Sequence, residues 1–360
     1  MHRFVIFPLL LLGVAPVFGE NPLVVVAAAR AGRIEMFDAG LGPMGAITVN
    51  PLLESVSASP DGRRLYIAQE SALGSGTCCG LFALDLASQH MCFLAAPALF
   101  GTPSPEGRFV FTQGDQGVQI FDARTLAALP TMTASGAYSL QPSPDGRWLL
   151  GVTNSPKPSL DIFDLKSRTL ARQFPVPEGP VTGAWAGDRF YLFSYSGRGT
   201  GNLWGVKPGD TESPHFRRIQ LPDIYSRCNE PALLMLAGSA DKLFMAEGFG
   251  FKLDRRGACP DAPLGGILAI QPITGSVTSI AESVQVNRMA VTPDGHDLYV
   301  LEAGRRGRKG NTVLLHIDTR TGLVLHTMLL VPGEWNLALA HIPSTLIPHG
   351  SVHAIAYCGR

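Results

Sequence analysis

Along the chain, short apolar runs alternate with turn-forming residues in a recurring order: an apolar stretch, a Pro-Asp-Gly turn, another apolar stretch. The signature reads SVSASPDGRRLYIAQ at 55–69, GTPSPEGRFVFTQ at 101–113, SLQPSPDGRWLLGVT at 139–153 and RMAVTPDGHDLYVLE at 288–302, with weaker copies at 181–194 and 233–247. In such a turn Pro presets φ, Asp bonds to nearby backbone and Gly takes φ > 0, so each copy predicts a tight β-hairpin. A second hairpin signature follows, as in LFALDLAS at 81–88, VQIFDARTL at 118–126, LDIFDLKSRTL at 160–170 and LLHIDTRTG at 314–322, and then one more apolar stretch. Four strands, a to d, thus repeat every roughly 40 to 55 residues, the size of a β-propeller blade.

Six units carry their own turn, beginning near residues 55, 99, 138, 181, 232 and 287. A partial unit at the start, LVVVAAA at 23–29, RIEMFD at 33–38 and AITVN at 46–50, lacks its innermost strand. WNLALAHIP at 335–343 matches the run that precedes each turn and supplies it, closing the ring without an open edge. The expected fold is all-β: a seven-bladed β-propeller of four-stranded antiparallel blades, its N-terminal blade completed by a C-terminal strand. Residues 20–360 form one domain in this reading, and the count leaves the tail 344–360 unplaced, as an extra edge strand or an eighth partial blade.

Composition supports this picture. Gly and Pro together occupy 68 of 360 positions (40 and 28), which disfavours long helices, and the 46% hydrophobic content against 16% charged excludes disorder. Lys and Arg number 29, as do Asp and Glu, so the net charge is zero and bulk charge does not mark a nucleic-acid binder. Residues 1–19 put His2 and Arg3 before an uncharged apolar run with small Gly19 after it, the pattern of a secretory signal peptide. The run is about 15 residues where a spanning helix needs about 20; an uncleaved anchor is the alternative. No later segment reads as a span, so the mature chain is expected to be secreted or periplasmic.

All six cysteines follow that segment, in a compartment where disulfides persist. None is spaced as C-x-x-C, and no metal or cofactor is predicted. Cys228 and Cys259 fall on loops entering and leaving the first hairpin of the sixth blade and are expected to form a disulfide. Adjacent Cys78 and Cys79 form a vicinal disulfide, bridge separately to Cys92 or Cys358, or stay free.

The repeats, VTPDGHDLYVLE and LLHIDTRTG above all, resemble those of the YVTN-type seven-bladed propellers of the lactonase-like and nitrous-oxide-reductase-like superfamily, over essentially the whole mature chain. The resemblance implies the fold. It leaves activity open, because that superfamily includes lactonases, haem-binding reductase domains, amine dehydrogenase subunits and surface proteins.

Strand direction alternates within a blade, so the b–c and d–a loops share one face. The long loops 70–80, 195–201, 248–266 and 303–311 and the connection 221–231 all belong there, making it the expected working face. Loop 303–311 carries Arg305, Arg306, Arg308 and Lys309; loop 248–266 carries Lys252, Arg255 and Arg256. Such a cluster suits a carboxylate or phosphate, which guanidinium forks bind bidentately, or it is a solvated basic loop. Glu247 and Glu302 end strand b of blades 6 and 7, where Gln69 and Gln113 stand in blades 2 and 3; they are acid–base candidates or salt-bridge partners of those arginines. Aspartates 38, 85, 122, 164 and 318, at the ends of strand c, read as Asx-turn residues.

The sequence therefore points to an extracytoplasmic module that binds an anionic small ligand or a protein partner through its b–c face. Cys78 and Cys79 are included at that face. The alternatives are a lactonase-like hydrolase using Glu247 or Glu302, and the propeller subunit of a periplasmic redox enzyme.

Overall fold

The computed structural model describes residues 22–49, 52–70, 79–114, 117–133, 138–153, 159–176, 181–195, 200–210, 214–221, 233–248, 266–282, 284, 286–302, 312–333, 335–348, 350–353 and 356–357. Seven four-stranded antiparallel blades stand in a ring. Strands a to d of blade 2 are Leu53–Ala58, Arg64–Glu70, Cys79–Asp85 and His90–Ala95. Blades 3, 4 and 5 begin at the strands Thr102–Pro103, Tyr138–Pro142 and Val181–Ala186. Blade 6 takes Leu233–Gly238, Leu243–Gly248, Ile267–Ile270 and Val277–Ala281; blade 7 takes Val286–Val291, Asp297–Glu302, Thr312–Asp318 and Val324–Leu330. The only helical turn among the described residues is the short 3-10 segment Ser344–Leu346.

Ring closure follows the expected pairing. Trp335–His341 lies antiparallel to Leu23–Ala29, from Ala29 opposite Trp335 to Leu23 opposite His341, and becomes strand a of blade 1. Strands Arg33–Phe37 and Pro43–Thr48 complete that blade. The tail then forms no eighth blade. Gly350–His353 adds a parallel fifth strand to the outer edge of blade 1, and Ala356–Tyr357 adds one to the outer edge of blade 2.

The core is divided among the seams. Among the described residues, seven apolar clusters occur, each joining two consecutive blades. Val24, Val26 and Ala28 pack toward blade 2, whereas Val25, Ala27 and Ala29 pack toward blade 7. Successive side chains on a strand point to opposite faces, and here both faces are covered. The inner strands therefore read as continuous apolar runs rather than alternating ones.

The turns have the predicted chemistry. In blades 2, 4 and 7 a Ser or Thr hydroxyl donates to the turn aspartate, as Ser59 to Asp61 at 2.6 Å and Thr292 to Asp294 at 2.6 Å, and the turn glycines take φ of +66°, +68° and +74°. Gly62 is also sterically required, since a Cβ there would stand 1.9 Å from the carbonyl oxygen of His341 at the closure seam. Asp122, Asp164 and Asp318, at the ends of strand c, accept from the amides two and three residues on: Asp122 Oδ1 takes the Thr125 amide at 2.7 Å, and Asp318 Oδ1 the Thr321 amide at 2.8 Å.

Candidate functional site

Strand b of every blade ends, and strand a begins, on the same side of the ring. At blades 6 and 7 these ends are tied together. Gly248 forms a parallel bridge with Val286, and Val286 lies opposite Glu302. Two strand spacings, roughly 10 Å, thus separate the point where residues 249–265 leave blade 6 from the point where 303–311 leave blade 7.

The inner strands bring polar groups to this mouth that the sequence did not single out. Arg288, on strand a of blade 7, donates through Nε to Asn336 Oδ1 at 3.2 Å and through Nη1 to the Asn287 carbonyl at 2.8 Å. Asn336 is buried on strand a of blade 1. Arg30, just beyond strand b of blade 1, pairs with Glu54 at 2.8 Å. By register Arg288, Asn336 and Ser55 are equivalent, standing opposite Leu301, Ala28 and Ala68. A legible signal existed: Arg288 replaces the small Ser55 of the repeat, an unusual charge on an innermost strand.

Glu302 is half-buried on this rim, next to Leu301, the partner of Arg288. Gln69 is buried at the equivalent end in blade 2, and Gln113 is the last residue but one of strand b in blade 3. Glu247 occupies the corresponding backbone position in blade 6, opposite Leu234. Cys79 opens strand c of blade 2, its backbone opposite Glu70. Cys78, Cys228, Arg255, Arg256, Cys259, Arg305, Arg306, Arg308 and Lys309 lie outside the described residues.

The rim rests on hydrogen bonds that stitch neighbouring inner strands together. Ser55 Oγ donates to the Leu99 carbonyl at 3.0 Å, Thr102 Oγ1 to Leu140 at 3.4 Å and Gln141 Nε2 to Gly183 at 2.6 Å. In blade 4 the fully buried Asp161 is held by Ser159 Oγ at 2.9 Å and Gln173 Nε2 at 2.8 Å. Thr182 Oγ1, on strand a of blade 5, is buried without a hydrogen-bond partner. No group of three or more His, Cys, Asp or Glu side chains that could hold a metal occurs among the described residues.

The opposite face carries a different feature. A cavity of about 250 Å³ opens between blades 5 and 6, lined by Arg189, Tyr191, His215, Phe216, Arg217 and Ile273 among others. Burial raises the Tyr191 phenol above its ordinary pKa, against the lowering effect of Arg189. Chemically, then, the mouth offers fixed guanidinium groups beside carboxylates and amides, and the cavity offers cations beside an apolar wall.

No protein-family model matches this sequence, and no curated protein matches it either. Among solved structures the chain is similar to dihydro-heme d1 dehydrogenase NirN in complex with DHE, at 15% identity and a TM-score of 0.57, over 92% of this chain and 78% of that one. It is similar to hydrazine synthase of Kuenenia stuttgartiensis at 14% identity and 0.56, over 84% and 90%. A putative 6-phosphogluconolactonase of Bacteroides fragilis aligns at 14% identity and 0.57, over 90% and 99%. The likeness is one of fold. At these identities a shared propeller does not transfer an activity. No helix of the described residues is long and apolar enough to cross a membrane.

Proposed function

We propose that this chain is an extracytoplasmic propeller of the YVTN-like, lactonase-like type, delivered by residues 1–19 as a cleaved signal peptide, with residues 20–360 as one domain stabilised by disulfides. In this reading it binds an anionic ligand, or a protein partner presenting carboxylates, at the mouth on its b–c face. The observation that supports the reading is the bridge from Gly248 through Val286 to Glu302. It sets side by side the strand ends from which the chain continues into residues 249–265, which include Lys252, Arg255 and Arg256, and residues 303–311, which include Arg305, Arg306, Arg308 and Lys309. Guanidinium forks bind carboxylate or phosphate oxygens bidentately.

The test is binding of hexaglutamate and of inorganic phosphate to wild type and to the triple variant Arg305→Ala, Arg306→Ala, Arg308→Ala. At about 50 mM salt, where charges ~10 Å apart are weakly screened, the variant should bind at least tenfold more weakly and with a flatter salt dependence. Equal binding by both proteins removes the basic loops from the site. A second reading, a lactone hydrolase with Glu302 as base and Arg288 steadying the oxyanion, rests on their adjacent strands. Lactone turnover abolished by Glu302→Gln would favour it over a binding module.

A further inference from the structure

The C-terminal tail carries an inference that does not depend on the binding face. Cys92 lies within strand d of blade 2 and is disulfide-bonded. Ala356–Tyr357 runs parallel to that strand, with Ala356 beside His90 and Tyr357 beside Met91. Cys358, which lies outside the described residues, follows Tyr357 directly in the chain as Cys92 follows Met91, so the two cysteines continue a pairing whose strands stand ~4.8 Å apart, within the ~4.4–6.8 Å that a disulfide spans.

The same ladders eliminate the other cysteines. Cys92 stands opposite Ala83 on strand c. Cys79 is four positions away along that strand (83 − 79), roughly 13 Å at ~3.3 Å per residue. Cys78 is one peptide, ~3.8 Å, from Cys79 and so also stays beyond the ~7 Å limit. Cys228 and Cys259 lie outside the described residues, in segments whose flanking strands belong to blades 5 and 6, on the far side of the ring.

We propose that Cys92 and Cys358 form a disulfide that latches the tail to the rim of blade 2. Formation takes two protons and two electrons from the two thiols. One thiolate attacks a donor disulfide, the second displaces the donor from the mixed disulfide, and the donor leaves as a dithiol. The latch has work to do, because among the described residues the last strand is held to blade 2 by two residue pairs. Upstream of it, Ile342, Ile347 and Val352 pack into the seam between blades 1 and 2, against Val56, Ile67 and Met91. With the bond open, the strand is released and blade 2 regains an unpaired edge.

Cyanogen bromide cleavage of the non-reduced wild-type protein reads the pairing directly, since Met44, Met91, Met132 and Met328 place Cys78 with Cys79, Cys92, and Cys358 in three different fragments. Mass spectrometry should find 92–132 linked to 329–360. Linkage of 92–132 to 45–91, or an unlinked 92–132, overturns the assignment. The consequence is read by melting Cys92→Ser, Cys358→Ser and the double variant. Each should melt at least 5 °C below oxidised wild type, the double no lower than either single, and dithiothreitol should bring wild type to the same value. Equal melting of all four proteins under oxidising conditions overturns the latch. None of these readouts involves anion binding, so failure here and failure of the binding proposal are separate outcomes.

Discussion

Tyr66 shows how one residue records its place in the ring. It is buried in the seam between blades 2 and 3, against Leu81, Val110 and Phe121, and burial pushes its phenol up to about 12. Between about pH 10 and 12 the unfolded chain has released this proton while the folded chain keeps it, so raising the pH favours unfolding. Wild type should therefore lose roughly 2 to 3 kcal/mol more stability than Tyr66→Phe between pH 9 and pH 12. Urea midpoints at the two pH values measure this, and parallel losses in both proteins contradict the assignment. Arg288 shows the limit of reading at this scale: its charge was visible, but its contact with Asn336, 48 positions away, was not.

At the scale of the element, the turns were the most legible part of the chain because their chemistry is local. Every group that donates to the Asp122 carboxylate, the amides of Arg124 and Thr125 and the Thr125 hydroxyl, lies within three residues of it. These bonds hold Asp122, and the Thr321 and Arg320 amides hold Asp318, below the usual carboxylate range. Their contribution is present above pH ~4 and is lost as the pH falls through the folded-state values. Asparagine keeps an accepting oxygen but carries no proton linkage. Asp122→Asn with Asp318→Asn should melt below wild type at pH 7, because the charge-assisted part of these bonds is gone, and lose less stability than wild type between pH 5 and 3. An equal acid loss in both would show that these turns do not carry it. Strand edges, by contrast, were poorly legible. The outer additions Gly350–His353 and Ala356–Tyr357 are parallel pairings with no turn to announce them, so the tail was left unplaced by the repeat count.

For the molecule as a whole, closure is the decisive contact. The strand Trp335–His341 buries Trp335, Leu337, Ala338 and Ala340, with Ile342 after it, in two different seams. At roughly 1.5–3 kcal/mol per large apolar side chain, Trp335, Leu337 and Ile342 alone rival the ~5–15 kcal/mol net stability of a typical fold. A chain ending at residue 334 should accordingly fail to fold or aggregate. A chain ending at Pro343 keeps the closing strand and should fold, melting below wild type because the rim strands are gone. Circular dichroism and size exclusion distinguish these outcomes, and a well-folded monomer ending at 334 would refute closure as the stabilising contact.

The amino-acid order alone determined the blade repeat, the Pro-Asp-Gly and Asx turns and the strand that shuts the ring, because each is written in neighbouring residues or in a copy of the repeat. Tertiary structure alone decided that Gly248, Val286 and Glu302 meet, that Arg288 faces Asn336 and that the tail returns to the rims of blades 1 and 2. Those contacts join residues far apart in sequence. They exist only once seven blades have packed and set which strand ends and edges are neighbours.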